Sequence, residues 1–274
     1  MLPRRRASDP AAAGVPLLMY HSVSSGASRG FRPFAVTPER FEEQVRFIRD
    51  SGYESLTVSG LVEAMGRADI GLPEKCLVIT FDDGLEDFYT AVLPILTEYG
   101  LTATLYVVTG YIGGTARWLA GAAEGDRKML SWSQIVEISS LGVEIGAHTV
   151  THPALDAIPL AEARREIFNC KRVLEDRLGA KMRSFAYPFG YYDRAVRTLV
   201  EEAGFDSACA VHYAMSSPRD NRFALSRHIV RHDAGADEVG AVLAGRAPLV
   251  PLLYDRARSN AWKLLRHAMK RAKQ

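Results

Sequence analysis

The chain reads as an α/β protein whose parallel strands close into a barrel, and three observations carry that expectation. Strand-like and helix-like patterns alternate about seven times, which builds a parallel sheet rather than hairpins. Cys76 to Phe81 is an uncharged, partly β-branched run of the kind found in strands covered on both faces. Seven or eight such units fall within the stretch 15–245, a density that suits a closed ring better than an open sheet.

Taken in order, Val15-Pro16-Leu17-Leu18-Met19-Tyr20-His21 forms a first strand that ends on His21 before a Ser/Gly-rich loop. Thr37-Pro38-Glu39 opens a helix: Thr37 caps, Pro38 suits the first turn and Glu39 complements the dipole. Gly52 stops it. Ser55 to Val58 follows as a strand and Leu61 to Met65 as a short helix. Beyond the Cys76 strand, Tyr89 to Tyr99 has helical spacing with a defect at Pro94. Residues 103–108 form the next strand. The Gly-rich loop 109–130, holding Trp118, exceeds what a connection needs, and loops of that length are usually functional.

Ser131-Trp132-Ser133-Gln134 is a capping-box pattern for a helix to Leu141, and residues 143–147 are a strand. Leu160 to Leu178 is a long amphipathic helix. A strand over 184–187, a helix over 194–203, strands over 207–211 and 224–230 and a helix over 237–244 complete the pattern. Residues 1–14 carry an arginine cluster without a signal-type apolar run and are expected to be disordered, with 15–245 as the barrel. Residues 246–274 are expected as a basic helix, which suits either packing on the barrel or contact with an anionic membrane.

The formal net charge is +2, but the basic residues gather at the two ends and leave the body acidic. That argues against a nucleic-acid groove. Three widely spaced cysteines, Cys76, Cys170 and Cys209, make no disulfide framework and fit a reducing, cytoplasmic setting, with peripheral membrane contact through the tail left open.

Asp82 and Asp83 stand at the carboxyl end of the Cys76 strand, where barrels carry their chemistry. Adjacent carboxylates repel unless a cation intervenes. His148 and His152, four apart after another strand, supply the rest of a facial metal set with Asp83. Four-residue spacing brings both imidazoles to one face of a helical turn. Asp82, pointing the other way along the strand, is then the base. His21 faces the same pocket as a substrate contact or orienter; Tyr187 and Trp118 offer a sugar ring aromatic faces, and Trp132 offers another or, as its place at the head of a helix favours, anchors that helix on the core.

Thr80-Phe81-Asp82-Asp83-Gly84, His148-Thr149-Val150-Thr151-His152 and Tyr187-Pro188-Phe189-Gly190 resemble the first three motifs of the polysaccharide deacetylase family, carbohydrate esterase family four. Leu18 to Val23, Leu130-Ser131-Trp132 and Glu144 to His148 resemble its poly-N-acetylglucosamine deacetylase branch. The resemblance implies an irregular, TIM-like (β/α)7 barrel and a divalent metal on Asp83, His148 and His152, zinc foremost with cobalt or nickel also compatible. It further implies Asp82 as general base, substrate contacts from Tyr187, Pro188, Phe189 and Gly190 with the Phe189 amide on the oxyanion, and an N-acetylated glycan as substrate. The family's late acid histidine corresponds to His232 or His228, with His232 favoured. The arginine that relatives place before the third motif's proline is absent, since Phe185-Ala186-Tyr187 stands there, and the fourth motif has no match. A barrel that binds glycan or membrane without turnover, and a C–N hydrolase acting on a small non-sugar amide, are the alternatives.

Overall fold

The computed structural model describes residues 14–67 and 71–246. Eight parallel strands form the main sheet: β1 (Leu17–Tyr20), β2 (Glu54–Leu56), β3 (Cys76–Phe81), β4 (Thr104–Val107), β5 (Glu144–Ala147), β6 (Ser184–Ala186), β7 (Ser207–Cys209) and β8 (His228–Ile229). They are ordered β8-β1-β3-β4-β5-β6-β7, with β2 beside β3. Strands β2 and β4 share one edge of β3, β2 along Cys76–Val78 and β4 along Thr80–Phe81. Leu225 closes the ring: it bridges Cys209, exchanging hydrogen bonds with Ala208 and Ala210, three residues before β8 pairs with β1.

Around the sheet lie α1 (Pro38–Asp50), α2 (Val58–Gly66), α3 (Leu93–Glu98), α4 (Trp132–Ser140), α5 (Leu160–Leu178), α6 (Arg194–Glu202) and α7 (Ala236–Leu243). Side chains of oxygen-bearing residues start several of them. Thr37, Thr57 and Asp193 accept from the third helical amide, and Ser131 with Gln134 closes the expected capping box. Such caps are each worth about 1 kcal/mol. Thr57 also explains a revision: Val58 is the first residue of α2, not the end of a strand. The helical stretch expected from Tyr89 begins as a single π-type turn, Phe88–Val92, and Pro94 sits in the first turn of α3 where its missing N–H costs nothing.

Strand alternation sorts the core. Leu18, Tyr20, Leu77, Ile79, Phe81, Leu105, Val107, Ile145, Phe185 and Tyr187 face the helices in one cluster. Leu17, Cys76, Val78, Tyr106, Ala186, Cys209 and Leu225 fill the barrel with Val58 and Leu61 of α2 as the floor. Gly146 is where the Tyr106 ring needs room, since a Cβ there would overlap it. Tyr20, Phe41, Phe81 and Phe88 pack edge-on or stacked, each pair adding about 0.5–1.5 kcal/mol beyond burial. The floor is polar where it must be: Glu144 accepts from the Ser59 amide and from the hydroxyls of Ser59, Thr104 and Ser184.

Among the described residues no helix is long and apolar enough to cross a membrane. The expected N-terminal segment (all but Gly14) and the expected basic C-terminal helix (all but Arg246) lie outside the described residues.

Candidate active site

Asp82 continues the pairing of β3, its amide donating to Tyr20 O at 2.9 Å. The chain then turns left-handed at Asp83 (φ 79°) and Gly84 (φ 77°). Only glycine fits the second position, because a Cβ would meet Val107 Cγ1 at 2.9 Å. The turn overrides strand alternation, so both carboxylates line one cavity instead of pointing apart as the sequence pattern suggests.

His148 and His152 are joined by another left-handed device, not the helical turn expected from their spacing. Thr149 (φ 67°) and His152 (φ 62°) leave the right-handed region. Buried Glu166 of α5 holds the turn, accepting from the amides of Val150 and Thr151 at 2.7 and 2.8 Å and from the Thr151 hydroxyl at 2.7 Å. Four of the six described non-glycine residues with positive φ are Asp83, Thr149, His152 and Phe189, so backbone strain is concentrated where the chemistry would be.

One ligand atom from each of Asp83, His148 and His152 lies within 4.8 Å of the other two. His148 Nδ1 donates to Ala186 O at 2.7 Å, which fixes its tautomer and leaves Nε2 bare toward the cavity. The Nε2 atoms of His148 and His152 stand 3.7 and 3.3 Å from Asp83 Oδ1. These are not salt bridges. Burial pushes both imidazoles down, and burial together with the charge of Asp82 pushes Asp83 up to about 8. Asp83 Oδ1 has no hydrogen-bond partner. A buried, unsatisfied carboxylate oxygen facing two neutral imidazoles is the donor set a divalent cation takes, so the residues fit the metal that their pattern implied.

Arg227 supplies what the sequence lacked. Fully buried, its guanidinium donates to Asp82 Oδ1 at 2.6 Å and Oδ2 at 2.8 Å, to Thr80 Oγ1 at 3.1 Å and to Ala210 O at 3.3 Å. Burial alone would raise Asp82, but Arg227 first, then His148 and His21, outweigh it and hold the carboxyl at about 2. The signal was readable in principle, for an arginine in the apolar run Phe223 to Val230 requires a buried anion. No arginine stands beside Pro188; the fold delivers one from the closing segment of the ring.

The cavity, about 840 Å³, is lined by His21, Asp82, Asp83, His148, His152, Phe189 and Gly190 among others. Phe189 is half exposed and meets His152 edge-on at 4.8 Å, while Trp118 stacks on the same imidazole at 5.3 Å. Phe31, Phe34, Tyr191 and Tyr192 extend the aromatic wall. None of these four was singled out in the sequence, because aromatic residues on loops have no period to betray them.

Two groups of expected site residues lie off the cavity wall, Tyr187 with Pro188 and the candidate acids His232 and His228. Tyr187 does not face the cavity: with the parity of Phe185 it points to the helices, its hydroxyl donating to Phe223 O at 3.1 Å, and Pro188 beneath it is buried outside the lining. Trp132 takes the core-anchoring role favoured for it, packing against the helix-side core with Arg177 over its ring. His232, the favoured acid, lies beyond β8 beside Asp233 at 3.6 Å and is absent from the cavity wall, as is His228. The strand, His228–Ile229, ends before His232.

The chain belongs to the polysaccharide deacetylase family: residues 69–208 match that family's sequence profile. The class so defined is a hydrolase, an N-deacetylase acting on acetylated glycans. Among relatives, the Bacillus subtilis protein YxkH, assigned by name to the polysaccharide deacetylases, is 28% identical over 231 residues, covering 84% of this chain and 76% of its own. An Escherichia coli poly-β-1,6-N-acetyl-D-glucosamine N-deacetylase is 32% identical over 140 residues, which are 50% of this chain and 20% of that enzyme. The fold resembles the Streptococcus pyogenes deacetylase PplD solved with acetate (TM-score 0.73, 24% identity, 86% of this chain and 99% of that one). It also resembles IcaB from Ammonifex degensii (TM-score 0.71, 23% identity, 86% and 98%).

Proposed function

We propose that the chain hydrolyses the acetamide of N-acetylglucosamine residues in a polysaccharide, with zinc on Asp83, His148 and His152. The observation that carries this reading is the convergence of that donor set with an Arg227-held Asp82 in one aromatic-walled cavity. The relatives named for poly-β-1,6-N-acetyl-D-glucosamine support the choice of sugar.

A divalent ion there supplies Lewis acidity toward water and toward the acetamide carbonyl. The protein's own groups do the rest. Asp82, ionised at neutral pH because Arg227 outweighs its burial, accepts the proton of the attacking water as a bond forms to the carbonyl carbon. The Phe189 amide, by family resemblance, donates to the oxygen that gains charge. His21 lines the cavity and feels the charge of Asp82 across it, and we assign proton delivery to it because His232 and His228 are not among the lining residues. Burial pushes its imidazole down to about 4 against the pull of Asp82, so the proton it gives the leaving nitrogen is the one Asp82 has just taken from water, relayed to it during turnover. The carbon–nitrogen bond then breaks to free amine and acetate.

The test is acetate release across a panel of β-1,6- and β-1,4-linked N-acetylglucosamine oligomers, peptidoglycan fragments and small N-acetyl amides, with zinc, cobalt or nickel supplied. Release from the β-1,6 oligomers, greatest with zinc, is expected. Release from small amides alone would overturn the reading. The inactive-barrel alternative loses its main motive, since the arginine it held to be missing is present as Arg227.

A further inference from the structure

Trp118 belongs to neither main core cluster; it packs on a smaller one that includes Phe31, Leu85, Val108, Ala116 and Met129. It sits in a short 3-10 stretch, Arg117–Ala122, within a loop that carries Gly113, Gly114, Gly121 and Gly125. Its ring nevertheless lies on His152 at 28° between planes and meets Tyr111 at 5.1 Å. The loop that carries it is held by a part-buried polar cluster around Arg127. The Ala116 amide donates to Arg127 O at 2.9 Å and closes the loop. The Arg127 Nε then donates to Glu124 at 2.9 Å, and Nη1 to Ser22, Ser24 and Asp87 at 3.0, 3.1 and 3.1 Å. Its guanidinium lies over Phe31 at 5.1 Å. Glu124 accepts in turn from the Ser28 amide at 2.5 Å, and the Ser28 hydroxyl donates to Ala122 O at 2.6 Å.

Arg127 therefore touches three segments at once: the loop after β1, the turn four residues past Asp83, and the loop that bears Trp118. Its ion pairs are only 10–13% exposed, unlike surface pairs of little worth. A flat fork of five donors makes these contacts where a lysine ammonium cannot.

We propose that Arg127 is a positioning residue of the site: through Glu124 and Ser28 it sets Trp118 as a wall of the sugar subsite over His152, and through Asp87 it ties that wall to the segment bearing Asp83. The inference rests on the glycan reading above for the identity of what the wall contacts, but not for the clamp itself.

The experiment uses the full chain carrying Trp132→Phe and Trp262→Phe, so that Trp118 is the sole indole. Arg127→Ala is expected to shift Trp118 emission to the red and to raise KM for an N-acetylglucosamine oligomer about fivefold to tenfold, leaving kcat within about twofold. Arg127→Lys should not restore either. Trp118→Ala should raise KM similarly, and adding Arg127→Ala to it should change KM no further. Should Arg127→Ala fail to fold, Glu124→Ala, which loosens the loop alone, is read the same way. Unchanged Trp118 emission, or KM effects that multiply in the double variant, would overturn the proposal. If the unmutated chain releases no acetate from any saccharide, the glycan reading fails, and the emission shift still decides the clamp.

Discussion

The guanidinium of Arg227 grips both carboxylate oxygens of Asp82, across 145 residues of sequence, inside the barrel and away from water. That single pair dominates the charge state of the base and ties the segment leading into β8 to the end of β3. Bidentate geometry is stronger and more directional than a point charge. Breaking it strands a buried anion.

Replacing Arg227 by Met removes the largest opposition to the burial of Asp82, so its pKa rises from about 2 and the acid limb of the kcat/KM profile moves upward. Turnover at neutral pH should fall about a hundredfold, and stability by about 3–5 kcal/mol. Arg227→Lys keeps the charge without the fork and should fall between. Full pH–rate profiles of both variants check this.

Metal-free protein should lose stability as pH rises from about 4 to about 8. Asp83 is raised from the ordinary 3.8 to about 8 in the fold, so over that window the folded state holds a proton the unfolded state has lost, and the slope of stability against pH is negative. Asp82, depressed to about 2, contributes stability that is already complete above 3.8 and is lost only as pH falls toward 2. Zinc should reverse the alkaline loss, and its uptake at pH 6–7 should release protons. Tm against pH with and without chelator, and titration calorimetry in two buffers, measure both effects. Asp83→Asn should abolish them.

His21→Asn is expected to cut kcat about a hundredfold or more with zinc content unchanged, while His232→Asn should leave kcat within about twofold. Steady-state kinetics on one acetylated oligomer separates the two. Loss of turnover on replacing His232 would return the acid role to it.

Gly190→Ala should destabilise by about 1–3 kcal/mol. Its φ is +72°, and an added Cβ would stand 2.8 Å from Val211 Cβ. Because Phe189 precedes it with φ 59°, the aromatic contact to His152 should slip as well, raising KM. Thermal melts and KM values provide the check.

What the sequence could show was whatever lay on periodic elements or in short contiguous strings. Cys76–Phe81 and Leu160–Leu178 have the bounds the pattern suggested, since burial on both faces and a clean amphipathic stripe leave few alternatives. Asp83, His148 and His152 come together because each follows a strand end, and strand ends are legible. The partner of Asp82 was not, because Arg227 sits in a segment of which only His228–Ile229 is regular strand, and long-range closure leaves no local trace. The orientation of Tyr187 needed only the parity of β6, whose direction is set by which face Phe185 buries. The left-handed turns at Asp83, Thr149, His152 and Phe189 defeat reading by period altogether, and β-branched Thr149 and bulky Phe189 are residues that ordinarily avoid such a backbone.

The central claim is that Asp83, His148 and His152 share one cation, and metal content measured on the purified chain tests it most directly. About one divalent ion per chain is expected, falling to near zero in each of Asp83→Ala, His148→Ala and His152→Ala while the fold survives by circular dichroism. Retention of the ion in all three folded variants would contradict the account.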